Sequence, residues 1–255
     1  MTPRVAMSEL RPEMLIIPDW PAPATVRAVS TIRLGGVSRS PYADLNLAGH
    51  VGDQPEYVVE NRRRLAVAAR LPTEPAWLEQ VHGTVVVAAE TVHSPIAADA
   101  AWTCQVGQPC VVMTADCLPV LLCDRSGTVV AAVHAGWRGL AGGVVAAAVR
   151  PLGKPPAELL AWLGPAIGPD AFEVGEEVRA AFLALDAGNT ANFRPSPAGR
   201  WRANLYGLAR RQLQRLGVNG IYGGDCCTFS EPARFFSYRR EHSTGRMASL
   251  IWLDV

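Results

Sequence analysis

One cysteine and two histidines have the residue types and the surroundings of a metal site. Cys117 lies in "TADCLPV", His134 ends the apolar run in "VVAAVHAGWRG", and His82 lies in "EQVHGTVV". Each is close to glycine or proline and follows an apolar run, as expected where rigid strands present side chains at an edge. If these ends meet, one thiolate and two imidazoles supply three corners of a tetrahedron. The open fourth corner is typical of catalytic rather than structural zinc.

The same residues allow other interpretations. A cysteine inside a strand is often a small core residue, and a histidine at a strand end is often only hydrogen-bonded there. Cys117 could instead be a nucleophile with His134 or His82 as its base, which would make a metal-free hydrolase. Two imidazoles and one thiolate also bind copper, although five histidines in the whole chain are too few for a four-copper oxidase. A non-catalytic binding module is the remaining class.

Length, charge and composition restrict the class of protein. The 255 residues can bury a sizeable core, and 49% of them are hydrophobic. A formal net charge of +1 provides no basic field for nucleic acid or an anionic membrane. No apolar run approaches the length of a membrane-spanning helix or a secretory signal, and the six cysteines do not resemble a disulfide scaffold. We expect a cytoplasmic protein that binds a small molecule, as a monomer or weak homodimer.

Hydrophobic patterning predicts an α/β fold with mixed sheets, in a single domain over residues 1–255 whose first residues, about 1–24, form an extension. Valine- and leucine-rich runs predict strands covered on both faces, namely "TVRAVSTI", "TVVVAAE", "CVVMTA", "PVLLC", "TVVAAVHA", "LLAWLG" and "MASLIWL". Helices are predicted over 55–71, 139–149, 175–185 and 201–216, the last ending before Gly217. The long loop 33–53 is rich in glycine, asparagine and aspartate, and its length favours a functional role.

Six motifs, in order from about Thr31 to Leu253, together resemble one family. They are "STIRLGGVSRSPYADLNLAGHVGD", "QVHG", "TADCLPVLL", "AVHAGWRGL", "LGPAIGP" and "CTF…FFSYRREHSTGRMASLIWL". The family is variously called YfiH-like, polyphenol oxidase or multicopper-laccase-like, and purine nucleoside phosphorylase. The resemblance of this sequence to the family implies a single α/β domain that is distantly similar to the cytotoxic-necrotizing-factor deamidases.

The resemblance also implies a catalytic zinc at the positions that match His82, Cys117 and His134. It implies phosphorolysis of adenosine, inosine, guanosine and methylthioadenosine to the base and the (methylthio)ribose 1-phosphate, together with deamination of adenosine. Cys117 would bind as the thiolate and would count as both a ligand and a catalytic residue. Water with a pKa lowered by the cation would supply hydroxide for attack on C6 of adenosine. Copper is the alternative metal, with a laccase-like oxidase as the alternative activity.

Catalytic roles are predicted for two further residues. Asp116 could fix a histidine tautomer beside the metal or act as a general acid/base, and a strand-end cap is the structural alternative. Phosphorolysis needs a group that holds phosphate, and a guanidinium can bind phosphate bidentately. Arg33 is the first choice, because it matches the family's loop arginine and lies just before a glycine pair. Arg138 in "GWRG" and Arg246 in "STGR" are the second choices.

The remaining candidates are predicted to bind substrate. Asn46 and Tyr42 could contact ribose hydroxyls or the base, although turn formation also explains Asn46. His50 lies in the same loop, and Asp99 in "AADA" matches a recurrent aspartate of the family. The chain departs from the family at "GPDAFEV", where aspartate and alanine occupy two positions that hold cysteines in many members. Those cysteines are therefore not needed here for metal or redox chemistry.

Overall fold

The computed structural model describes residues 10–254, which contain short strands and helices. The strands in this part of the chain are β1 (Val26–Ser30), β2 (Val86–Ala88), β3 (Ala100–Thr103), β4 (Cys110–Thr114), β5 (Leu118–Asp124), β6 (Val130–Ala135), β7 (Leu159–Leu163), β8 (Glu173–Val174), β9 (Phe193–Ser196), β10 (Arg200–Ala203), β11 (Gly220–Gly223) and β12 (Met247–Leu253). The α-helices are α1 (Pro55–Ala69), α2 (Trp137–Gly142), α3 (Val144–Val149), α4 (Glu176–Leu185), α5 (Leu205–Arg215) and α6 (Tyr238–Glu241).

These strands form three sheets. The largest has the order β11-β7-β5-β6-β3-β2, with parallel pairs at both edges and antiparallel pairs between them. A second sheet, β1-β12-β4, is antiparallel throughout. A third, small antiparallel sheet has the order β8-β10-β9. The predicted fold class, α/β with mixed sheets, is confirmed.

The hairpin of β5 and β6 forms the centre of the molecule. Every residue of both strands is buried, because the large sheet is covered on both faces. Leu122 and Val133 pack in a core cluster with helices α2 to α5. Their neighbours Leu121 and Ala132 point to the opposite face and pack against Ile251 of β12. This two-sided burial explains why the strands are continuous apolar runs rather than alternating ones.

The outer face of the β1-β12-β4 sheet is covered by α1 and by the long loop 33–53. Val111 of β4 packs there against Leu65 of α1 and Leu47 of the loop. The loop contains no helix or strand, as predicted. The fully buried Asn61 of α1 fixes it, since its Nδ2 donates to two backbone carbonyls and one hydroxyl of the loop.

Two of the predicted helices differ in detail. The helix predicted over 201–216 is wrong at its N-terminal end, where Arg200–Ala203 pairs with β8 and β9 as strand β10. Helix α5 begins after Asn204, whose side chain accepts a hydrogen bond from the backbone N–H of Gly207 and so caps the first turn. The segment 139–149 falls within two short helices, α2 and α3, which are separated by Gly143 at φ +93°.

The segment before β1 packs onto the core. Ile16 pairs with Ser30 in an isolated antiparallel bridge, and the side chains of Leu10 and Leu15 are buried. Residues 1–9 of the predicted N-terminal extension lie outside the described residues. Among the helices of residues 10–254, none has the length and apolar character needed to cross a membrane.

Candidate metal centre

His82, Cys117 and His134 meet at one point. One ligand atom from each lies within 4.8 Å of the others, and the Cys117 Sγ is 3.7 Å from the His82 Nε2. A tetrahedral zinc ion with usual bond lengths separates a sulfur from a nitrogen ligand by about 3.6 Å. The histidine rings are 4.8 Å apart and inclined by 72°, so they do not stack. Both the donor set and its spacing therefore fit a divalent cation.

Three short segments carry these candidate ligands to the same end of the strands of the large sheet. His134 lies in β6 and is paired with Pro119 of β5, so Cys117, two residues earlier, is close by. His82 lies in the loop before β2, with φ at +60°. Asp116, which precedes Cys117, also has a positive φ, of 88°. Such left-handed conformations are uncommon outside glycine and are concentrated at functional sites.

Asp99 connects two of the ligands. Its carboxylate, fully buried, accepts hydrogen bonds from His134 Nδ1 at 2.8 Å and from the backbone N–H groups of His82 at 2.9 Å and Gly83 at 2.6 Å. Burial raises the pKa of Asp99, but the bonds to His134 and to these N–H groups outweigh it and hold the pKa below its usual value. With Nδ1 engaged in this way, His134 presents Nε2 to the metal position. Such outer carboxylates fix the tautomer and orientation of metal-binding histidines.

Replacing Asp99 with asparagine is expected to weaken zinc binding by about 10–100-fold, the usual cost of losing an outer-shell partner. The amide keeps the shape but presents N–H groups where His82 and Gly83 already donate. Competition with a chromophoric chelator measures the affinity, and circular dichroism confirms the fold. Asp170→Asn is the control, because Asp170 is exposed and, in the described part of the chain, forms an ion pair only with Arg194. Equal affinities in the two variants would contradict the role of Asp99.

Gly136 lets two of the ligands approach each other. A Cβ at this position would lie 2.9 Å from the Cys117 Sγ and 2.9 Å from the His82 Cδ2. Both distances are shorter than real Cβ contacts, so an added methyl group must push the ligands away. The backbone at Gly136 has φ −63°, which any residue adopts. The glycine is therefore required by space rather than by conformation.

Gly136→Ala is accordingly expected to lower zinc affinity by about ten-fold or more, since ligand geometry must be held tightly for binding. The matched control is Gly49→Ala, because a Cβ at Gly49 would meet nothing within 4 Å. Plasma emission spectroscopy measures the zinc content per chain, and the chelator titration measures the zinc affinity. Full zinc binding in Gly136→Ala would show that the ligands tolerate separation.

Electrostatics around the sulfur favour the thiolate. Burial raises the pKa of Cys117, but the adjacent imidazoles of His134 and His82 outweigh it and lower the pKa from 9.0 to about 6. Burial lowers the pKa of His134, yet the thiolate and Asp99 raise it to about 9. Cys117 is therefore available as an anionic, metal-binding sulfur at neutral pH.

The ligands lie on the wall of a cavity of about 540 Å³. His82 is exposed, Cys117 is half-buried and His134 is buried, so the group is reached from one side. The other lining residues include three aromatic side chains and three arginines: Trp137, Phe172, Tyr238, Arg138, Arg239 and Arg246. This size and lining suit a small, partly aromatic molecule.

Four of the other predicted site residues line this cavity. They are His50, Asp116, Arg138 and Arg246. Asp116 accepts hydrogen bonds from the Thr228 hydroxyl and from the backbone N–H of Arg239, both at 2.6 Å. It therefore ties the segment around α6 to the Cys117 loop. The tautomer-fixing role was predicted as one option for Asp116, but the carboxylate that the structure places against a histidine ring nitrogen, His134 Nδ1, is that of Asp99.

Arg33 and Asn46 are placed elsewhere by the structure. Neither is among the residues that line the cavity. Arg33 donates to the carbonyls of Ala43 and Pro232 and to the Glu241 carboxylate at 2.8 Å, so its charge is already paired. The Asn46 side chain is fully buried and accepts from the backbone N–H of Arg246. Both side chains form hydrogen bonds that support the segments beside the cavity, and neither lines it.

Tyr42 and Asp99 also lie off the cavity wall. The Tyr42 hydroxyl donates to the carbonyl of Val51 at 2.7 Å, within its own loop. Asp99 has 0% exposure, so a substrate has no access to it. Residues missed from the sequence are Trp137, Phe172, Tyr238 and Arg239. Trp137, Tyr238 and Arg239 lie inside the family motifs quoted above, and their proximity to His134 and to "STGR" was the available signal.

The fold and the site define a mixed α/β protein in which a His–Cys–His group that could hold a metal ion lies at a cavity. Residues 27–254 match the family described as multi-copper polyphenol oxidoreductase laccase, and the chain belongs to that family. The family and the His–Cys–His group both support a metal at this site.

The chain is similar to several bacterial proteins over nearly its whole length. It is 58% identical over 240 residues to a protein of Pseudomonas aeruginosa named purine nucleoside phosphorylase, covering 94% of this chain and 98% of the relative. It is 54% identical over 242 residues to the Escherichia coli purine nucleoside phosphorylase YfiH, with the same coverage. A Neisseria meningitidis crystal structure superposes with a TM-score of 0.92 at 51% identity, over 95% of this chain and 100% of that one. The family inferred from the motifs is confirmed.

Proposed function

We propose that this chain is a zinc-dependent purine nucleoside enzyme. It cleaves adenosine, inosine, guanosine and methylthioadenosine with phosphate, and it deaminates adenosine. The observation that carries the proposal is the His82–Cys117–His134 group on the wall of a 540 Å³ cavity. The names of the relatives at 54–58% identity support the purine nucleoside as substrate.

The residues of the cavity suit such a substrate. Trp137, Phe172 and Tyr238 offer aromatic faces to a purine, and base–aromatic stacking is tolerant of the base's exocyclic groups. That tolerance fits an enzyme that acts on both adenine and guanine nucleosides. The Gln80 side chain also lines the cavity, but its amide is already engaged on both sides by the backbone of Met113. The Gln80 side chain therefore forms part of the cavity wall, and its amide is not available to hydrogen-bond with the edge of a base.

His82, Cys117 and His134 would hold the cation. Asp99 orients His134 by accepting a hydrogen bond from its Nδ1. A bound divalent cation supplies Lewis acidity and lowers the pKa of water to near neutrality. Asp116 faces the same cavity from the residue before Cys117 and could accept or return a proton there.

Phosphorolysis breaks the bond between C1′ and the base nitrogen, leaves its electron pair on the base, and joins a phosphate oxygen to C1′. Deamination replaces the C6 amine by water oxygen and releases ammonia.

One assay tests the proposal. Zinc-loaded protein is incubated with adenosine in the presence and absence of phosphate, and adenine, inosine and ribose 1-phosphate are resolved by chromatography. We expect adenine and ribose 1-phosphate only with phosphate, and inosine in both conditions. Absence of all three products from a fully zinc-loaded preparation would exclude the proposed function.

The copper alternative is weaker for a physical reason. A four-copper oxidase needs a histidine-rich cluster besides its Cys–His copper site, and the chain has five histidines in all. Within residues 10–254, a single group of three or more potential ligands lies close enough together to hold a metal ion, and it already uses His82 and His134. A single copper ion remains compatible with two imidazoles and a thiolate. Metal content after purification without added copper, together with phenol oxidation, distinguishes the two metals.

A cysteine hydrolase is the second candidate, and one arrangement favours it. Cys117, His134 and Asp99 follow each other in the order of nucleophile, base and orienting carboxylate. The presence of His82 beside the same sulfur argues for the metal, because a nucleophile–base pair needs only one imidazole.

A further inference from the structure

Arg246 is a half-buried cation that has no counterion among the described residues. It lines the cavity beside the metal ligands, yet within residues 10–254 it forms no ion pair. One guanidinium nitrogen, Nη1, donates to the carbonyls of Thr244 and Gly245. The other two nitrogens, Nε and Nη2, make no hydrogen bond to the described residues. This free edge carries two parallel N–H donors and can bind an oxyanion bidentately.

The protein fixes Arg246 firmly in this place. Its backbone N–H donates to the buried Asn46 side chain at 3.0 Å. Gly245 lets this contact form, since a Cβ there would lie 2.7 Å from the Phe236 ring and 2.9 Å from the Asn46 Cβ. Burial lowers the pKa of Arg246, although the carboxylate of Asp116 and the Cys117 sulfur oppose that effect. Burying a charge costs free energy unless a partner is supplied. A site that keeps such a charge unpaired is built to receive an anion.

Two more cations face the same cavity. Arg138 lies over the Trp137 ring, 4.5 Å from its centroid. Arg239 donates to the carbonyl of Glu173, and its Cζ is 5.5 Å from the Phe172 ring centroid. In the described part of the chain, neither forms an ion pair. By contrast, Arg33 and Arg240, which lie behind the cavity wall, are both paired with Glu241.

We propose that Arg246, with Arg138 and Arg239, forms an anion subsite of the cavity that binds phosphoryl oxygens beside the metal position. The inference rests on the proposed function, since phosphorolysis needs phosphate next to C1′. The same chemistry fits inorganic phosphate or a phosphoryl group carried by the nucleoside itself. Arg33, the first choice from the sequence, instead supports the segment that carries Arg239 and Arg246.

Direct binding tests the subsite without turnover. Inorganic phosphate and adenosine 5′-monophosphate are titrated separately into zinc-loaded wild-type protein, Arg246→Met and Arg246→Lys by calorimetry. We expect the Kd of at least one of the two phosphates to rise by about ten-fold or more in Arg246→Met, the cost of a charge-assisted bidentate contact. Lysine should recover part of that loss. Arg150→Met is the matched control, because Arg150 is exposed and lies outside the cavity.

The two titrations identify the source of the phosphoryl group. Loss of phosphate binding alone assigns the subsite to the co-substrate, and loss of nucleotide binding alone assigns it to the substrate's own phosphate. If Arg246→Met binds both ligands as tightly as Arg150→Met, the subsite is overturned. In the adenosine assay, the KM for phosphate should rise about ten-fold or more in the same variant while the KM for adenosine changes less. An Arg246-dependent Kd without any turnover would leave the subsite in place and reject the proposed function.

Discussion

Replacing Cys117 with alanine is expected to reduce bound zinc from about one ion per chain to near zero and to abolish both phosphorolysis and deamination. The reason is the donor set, since His82 and His134 alone leave two positions of a tetrahedron without protein ligands. Loss of the cation removes several kcal/mol of transition-state stabilisation, so turnover should fall by about a thousand-fold or more. His134→Ala is expected to behave in the same way.

Two controls make this result specific. Cys104→Ala removes an exposed cysteine that is not part of the group, and it should keep both zinc and activity. Thermal unfolding and circular dichroism should show that the fold of Cys117→Ala persists, because Cys117 is only half-buried at the cavity wall. Near-normal turnover in either ligand variant would mean that the chemistry takes place elsewhere.

The placement of Cys117 and His134 at strand ends could be predicted from the sequence, because each follows an apolar run. Their assignment as metal ligands rested on the family resemblance. Strands of the large sheet are buried on both faces, and such strands are continuous hydrophobic segments with clear ends. His134 lies close to the end of β6 and Cys117 directly before β5, as these runs indicate. The strand β10 was not predicted, since "RWRA" is short and partly exposed, and its pairing with β8 and β9 depends on distant residues.

The choice between Asp99 and Asp116 could not be made from the sequence. Both are aspartates beside apolar runs, and only strand pairing decides which one reaches a histidine. Ala100 of β3 pairs with Val133 of β6, which places Asp99 opposite His134. Arg33 presents the same problem, because its partner Glu241 is distant in the chain. Long-range pairing of this kind leaves no local pattern.

A different experiment separates the metal enzyme from the cysteine hydrolase. In metal-free protein, iodoacetamide is expected to alkylate Cys117 readily at neutral pH. Its pKa is lowered from 9.0 to about 6, so the thiolate is the main form at neutral pH. The alkylation rate should rise as the pH increases through 6 and become level above pH 7. Peptide mass spectrometry, read at Cys117 alone, measures it.

Zinc should suppress the alkylation of Cys117 and restore the turnover that is lost when the metal is removed. A coordinated thiolate is shielded, so stoichiometric zinc is expected to slow alkylation of Cys117 strongly and to restore turnover of adenosine to the chelator-treated protein. A hydrolase built on Cys117, His134 and Asp99 requires the opposite pattern. Its metal-free form would be the active one, and zinc would inhibit it by occupying the nucleophile. Since both mechanisms use the same thiolate, the effect of zinc on turnover, rather than the reactivity of the sulfur, decides between them.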